Sequence, residues 1–141
     1  MHSFELKTVI AAPLKRVFAA ITEPDYIIRW DYCGWVRNDM RLAGKLRKRD
    51  EEGTLIESEI VVWDPPCRFA ALTPLVINPE EPDEGTFTAR FEYSIEAAEG
   101  QSVLTLHATG FPTEDLCARE RNSWGGYFLE KLKKVAENHR G

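Results

Sequence analysis

With 141 residues, 43% of them hydrophobic and 29% charged, the chain is long enough to bury one core and too apolar to be disordered or fibrous. No apolar run approaches the roughly 20 residues that span a bilayer. The formal net charge of −5 argues against a nucleic-acid partner, because phosphate binding needs a basic face.

The chain opens on MHSFELKTVIAAPLKR, which has no basic segment followed by an apolar stretch. No secretory signal is read there, and a cytoplasmic location is expected. Phe4, Leu6, Thr8 and Ile10 alternate with Glu5, Lys7 and Val9, which predicts a half-buried first strand. Pro13 then starts a helix whose Leu14, Val17, Phe18 and Ile21 share one apolar face. TEPDY (22–26) breaks it, and Pro24 opens a second short helix running to Trp30.

From about Val36 to Gly110 the pattern is a series of strands. RLAGKLRKRD (41–50) carries charge on both alternating faces and reads as an exposed strand end kept soluble by that charge. DEEG (50–53) is a tight hairpin signal, followed by TLIESEIVVW, CRFAALTPLVI and the acidic loop NPEEPDEG (78–85). In TFTARFEYSI (86–95), Phe87, Ala89, Phe91, Tyr93 and Ile95 face one way, the clearest alternation in the chain. Leu104, Leu106 and Ala108 share a face in the last strand, so His107 points off it.

The closing helix is expected from about Thr113, a plausible N-cap, to Glu137. Its apolar residues are Trp124, Tyr127, Phe128, Leu132, Val135 and Ala136. Gly125 and Gly126 interrupt this pattern, each at a cost of about 1 kcal/mol relative to alanine. Two roles are open for the pair: close packing against the sheet, which is the simpler, or room beside Trp124. No linker or repeat appears, so residues 1–141 read as one domain.

The order is strand, two short helices, about six further antiparallel strands, long helix. The only long amphipathic element able to cover the sheet is the last one, giving an α+β fold with a curved antiparallel sheet of about seven strands around the C-terminal helix.

Cys33, Cys67 and Cys117 are odd in number and widely separated, which fits neither a disulfide framework nor a zinc site. His2, His107 and His139 are equally scattered. No metal and no cofactor is expected.

Several motifs carry a family likeness. Ala12-Pro13, Val17, Thr22-Glu23-Pro24 and Arg29-Trp30, then VVWDPPCRFAA, LTLHATGF and a final W…L…L helix, together resemble the START-like (SRPBCC, helix-grip) domains. The branch they resemble is that of the C-terminal domain of the heat-shock-protein-90 ATPase activator. One departure is Asp31, where the family often has a second tryptophan.

The resemblance implies a cavity between sheet and long helix that takes a small hydrophobic molecule. Trp30, Tyr32, Trp35, Phe69, Phe87, Phe91, Tyr93, Trp124, Tyr127 and Phe128 crowd the elements expected to line it, although aromatics in a small domain also serve as solid core. Glu120 shares a helical face with Trp124 and is a candidate acid or base if buried, though such a residue is more often solvated. Three functions therefore stay open. The first is binding a small hydrophobic ligand, the second is a chaperone-activator-like protein-interaction domain, and the third is a metal-free cyclase- or dehydratase-type enzyme. The third has no nucleophile–base pairing to name, and no catalytic residue is assigned.

Overall fold

The computed structural model describes residues 1–138, so His139 lies outside the described residues. β1 (His2–Ile10) buries Phe4 and Ile10, in the predicted alternation. α1 (Leu14–Thr22) follows Pro13, which stands one residue before the helix in an extended conformation. Glu23 ends α1, its N–H donating to Ala19 O at 2.8 Å, and also precedes α2 (Pro24–Trp30), where Pro24 takes a first-turn position. The two helices are fastened together by Trp30, whose indole Nε1 donates to Ala20 O at 2.7 Å.

The strands that follow are β2 (Trp35–Asn38), β3 (Lys45–Arg49), β4 (Leu55–Asp64), β5 (Arg68–Val76), β6 (Thr86–Ala98) and β7 (Gln101–Phe111). They form one curved sheet with β1 in the order β1-β7-β6-β5-β4-β3-β2, every neighbouring pair antiparallel. Turn chemistry sets the register. Asp50 Oδ1 accepts the backbone N–H groups of Glu52 and Thr54, both at 2.9 Å, and Gly53 takes a φ of +82° that suits glycine. On β6 the residues Ala89, Phe91, Tyr93 and Ile95 are buried, and on β7 Leu104, Leu106 and Ala108; His107 is exposed, as the alternation requires.

The concave face of the sheet is covered by a helix continuous over residues 114–137. It consists of α3 (Glu114–Ser123), a π-helical turn (Trp124–Phe128) and α4 (Leu129–Glu137). Thr113 caps it, its Oγ1 accepting the Leu116 N–H at 3.2 Å, with Glu114 and Asp115 at the positive end of the helix dipole. Both ends are clamped to the sheet side. Near the start, the Arg119 guanidinium donates to Val76 O and Ile77 O, each at 2.9 Å. Near the end, Arg16 Nε donates to Ala136 O at 2.9 Å and Glu137 accepts the Ala11 N–H at 2.8 Å.

The glycine pair lies inside the π turn, where the Leu129 N–H donates to Trp124 O, five residues back. The extra residue rotates the buried stripe by about 100°. Downstream of Trp124 the buried residues are therefore Leu129, Leu132 and Ala136, while Tyr127 and Phe128 are only half-buried. Neither expected role of the glycines holds. A Cβ on Gly126 would meet nothing within 4 Å, and one on Gly125 would meet only the Leu6 side chain at 3.8 Å. Their low helix propensity instead suits a turn where the hydrogen-bond ladder slips by one residue.

Gly126→Ala is accordingly expected to stabilise the fold by up to about 1 kcal/mol, raising the melting temperature by about 3–5 °C. A thermal melt followed by circular dichroism checks this. A lower melting temperature would show that the π turn depends on glycine.

Candidate functional site

Between the sheet and the long helix lies a cavity of about 190 Å³. The sheet makes room for it by a change in residue size along its concave face. Phe69 and Ile60 fill one end of that face, both buried. One step along, Ala71 stands between Ile60 on β4 and Phe91 on β6. Next to it comes a row of short side chains: Ser58 across from Leu46, Thr73 bonded to Ser58 through their hydroxyls at 2.9 Å, and Ala89 across from Thr73. The helix cannot follow this depression, because its own inward side chains are anchored on either side.

Trp124 forms the roof. Its ring lies 5.8 Å from Trp30, 5.9 Å from Phe91, 6.1 Å from Tyr93 and 5.2 Å from Phe128. Tyr32, 55% exposed, closes one side of the mouth, stacked on Tyr127 at 5.0 Å and set edge-on to Phe128 at 6.0 Å. Lys131 braces this stack from outside, donating to the Tyr127 hydroxyl at 2.9 Å.

Of the expected site residues, Tyr32, Phe69, Phe91, Tyr93, Glu120, Trp124 and Phe128 border the cavity. Four are elsewhere, each for a local reason. Trp30 packs behind Trp124, held there by its bond to Ala20. Trp35 is on the edge strand, 37% exposed, with the Arg37 and Arg49 guanidiniums over its ring. Phe87 sits further along β6 against Phe111, at 5.9 Å. Tyr127 touches Tyr32 from the outer side and stays out of the cavity.

Asp31 and Cys33, which follow the second short helix, border the cavity together with Tyr32 and Glu120. Sequence reasoning missed the rest of the polar lining: Lys48, Asp50, Ser58 and Thr73. Lys48 is the main correction to the reading of 41–50 as a solvated strand. Its side chain turns inward with Leu46, and its Nζ donates to Asp31 Oδ2 at 2.5 Å. The available signal was its period-two spacing from Leu46 and Asp50, outweighed by the charge around it.

Glu120 is likewise not a solvated helix residue. It borders the cavity, and burial raises its carboxyl above the usual range, with Arg119 Nε at 3.2 Å opposing the shift. Burial, with the Asp31 carboxylate adding to it, pushes the Cys33 thiol up to about 11, so this is a neutral thiol near pH 7 and a poor nucleophile. Tyr93 is 7% exposed, and its ionisation is pushed far up by burial and by Asp31. Its hydroxyl has no hydrogen-bond partner among the described residues, where every fully enclosed polar side-chain atom has one. The hydroxyl is therefore open to the cavity it borders. No group of histidine, cysteine and carboxylate side chains suited to a metal occurs among the described residues, and no helix among them is long and apolar enough to cross a membrane.

A family model described as Activator of Hsp90 ATPase homolog 1-like protein matches residues 11–137. No curated protein matches the sequence. Among solved structures, the chain is similar to a protein from Mesorhizobium loti, with a TM-score of 0.80 at 15% identity over 99% of this chain and 100% of the other. The Aha1 dimer from Colwellia psychrerythraea matches with a TM-score of 0.78 at 17% identity over 100% of both chains. An HSP90 activator from Plasmodium falciparum matches with a TM-score of 0.75 at 17% identity over 96% of each. At these identities the structural likeness establishes the helix-grip fold and nothing finer.

The buried Glu120 gives a pH test. It holds its proton more tightly folded than unfolded, so its contribution to stability is complete below the unfolded carboxyl value of about 4.3 and is lost as pH rises through the higher folded value. Glu120→Gln is expected to melt above the wild type at about pH 7, and level with it at about pH 4. Melting curves across that range decide it; a variant less stable at neutral pH would mean that the bond to Arg119 outweighs the burial.

Proposed function

This chain belongs to the Activator of Hsp90 ATPase homolog 1-like family, and we propose that it binds a small, largely apolar molecule in the cavity between the sheet and the long helix. The observation that carries this is the cavity itself, about 190 Å³ in size and bordered by the rings of Phe69, Phe91, Tyr93, Trp124 and Phe128. An apolar cavity of about 150 Å³ is enough to take benzene, whereas drug-sized ligands need about 300 Å³ or more. The fitting ligand is thus compact, with one ring or two. The space is also not entirely apolar: Lys48, Asp31 and Glu120 border it, so a ligand with one polar end is favoured over a pure hydrocarbon.

The names of two similar structures favour a second reading, a chaperone-activator-like interaction domain. The surface such a domain would offer a partner is the basic segment 41–50, and most of that charge is neutralised locally. Arg47 bonds Glu57 at 2.8 Å, Lys45 is 3.9 Å from Glu59, Arg41 is 3.9 Å from Asp39, and Lys48 faces inward. Enzymatic use of the same cavity, of the cyclase or dehydratase type, would draw on Glu120. Among the described residues, however, its carboxylate is bonded to Arg119 and to no potential nucleophile.

The test is binding of a small fluorinated aromatic, 4-fluorotoluene, followed by ¹⁹F NMR. The wild type is expected to bind it. Ala71→Leu, which projects a branched side chain into the space beside Phe91, is expected to weaken binding by about tenfold or more while keeping a cooperative melt. Equal affinity in a folded A71L variant would contradict the proposal.

A further inference from the structure

No lysine or arginine occurs between Arg49 and Arg68, nor again between Arg68 and Arg90. These two segments build the lips of an open groove at the cavity mouth, which Tyr32 and Asp50 border in common with the cavity. Asp50, Glu51 and Glu52 border one lip; Pro79 and Pro82 border the other, and Glu80, Glu81 and Asp83 are their neighbours in the chain, exposed to solvent. None of these carboxylates forms an ion pair among the described residues. The cations nearby are engaged elsewhere. Lys48 is paired with Asp31, Arg119 bonds Val76, Ile77 and Glu120, Arg49 donates to Gly53 O, and Lys131 lies over the rings of Tyr32 and Tyr127.

Past the acidic lips the cavity offers acceptors and ring faces. Glu120 borders it, and the Tyr93 hydroxyl opens into it without a hydrogen-bond partner among the described residues, from a side chain that is 7% exposed. The faces of aromatic rings attract cations through their quadrupole, most strongly where water is excluded. A carboxylate in the same space adds a charge-assisted hydrogen bond. Unpaired carboxylates around a mouth with low-dielectric walls concentrate cations there and raise their rate of entry.

Building on the reading of this cavity as a ligand site, we propose that its ligand is a small organic cation: a protonated amine carrying an apolar body of one ring or two. Its ammonium is accepted by Glu120 or by the Tyr93 hydroxyl, and its apolar body lies between Trp124, Phe91 and Phe69.

Three probes of one shape and different charge test this by calorimetry: 2-phenylethylamine, which is cationic near neutral pH, neutral 2-phenylethanol and anionic phenylacetate. The amine is expected to bind about tenfold more tightly than the alcohol, with phenylacetate weakest. Added salt should weaken the amine alone. Glu120→Gln, close in shape to the native residue, should bring the amine down to the affinity of the alcohol. If the alcohol binds as well as the amine, the cavity remains a ligand site and the cation assignment falls. Tightest binding of phenylacetate would overturn it in favour of Lys48 as the recognising group. If E120Q keeps the full preference for the amine, the role given to Glu120 is wrong. Binding of none of the three would remove the ligand-site reading as well.

Discussion

Trp124 is the constraint on which the rest depends. Its ring touches the end of α2 through Trp30, the sheet through Phe91 and Tyr93, and its own helix through Phe128, all at 5–6 Å between ring centres. A side chain held on so many sides fixes the height of the helix above the sheet. Truncating such a buried aromatic commonly costs about 3–5 kcal/mol. The π turn begins at this residue, with its carbonyl accepting the N–H of Leu129. The one-residue slip lets Trp124 face the cavity while Leu129 and Leu132 take over the core contact beyond it.

With the helix set at that height, the space beneath it is decided by the sheet. Where the sheet presents Ile60 the gap is closed; where it presents Ser58, Ala71 and Thr73 it is open, and the rings of Phe69, Phe91 and Tyr93 border the space left. The clamps at the two ends, Arg119 on β5 and Arg16 with Glu137 on the opening segment, keep the helix from sinking to fill it. Within this frame the polar groups have distinct roles. The hydroxyls of Ser58 and Thr73 satisfy each other, and so do Lys48 and Asp31. Glu120 and Tyr93 have bonding capacity left, and that capacity is turned toward the cavity.

Much of the fold was legible because period and turn chemistry are local. The alternation from Phe87 to Ile95, the Asp50–Gly53 hairpin, the break at Pro24 and the Thr113 cap each depend on a few neighbouring residues, and each is seen in the structure. The π turn was not legible, since a ladder slip leaves no periodic signature. Its effect was to place Tyr127 on the cavity side in error and to hide Leu129, while Phe128 stays half-buried at the cavity edge. Aromatic type alone also could not separate Trp35, facing outward on an edge strand, from Phe91 in the cavity wall. Lys48 and Glu120 required knowledge of the tertiary fold: the partner of Lys48, Asp31, is 17 residues away in sequence, and the cavity that Glu120 borders is walled by residues distant from it in the chain. Charge was read as exposure, and the tertiary fold decided otherwise.

The central claim is that a small molecule enters the space beneath Trp124. Nuclear Overhauser contacts between saturating toluene and the assigned protein test it most directly. The account predicts contacts to the methyl groups of Ala71 and Thr73 and to ring protons of Phe91 and Trp124, all of which border the cavity. Contacts confined to exposed apolar residues such as Val9 and Leu55, with none to Ala71 or Trp124, would contradict it.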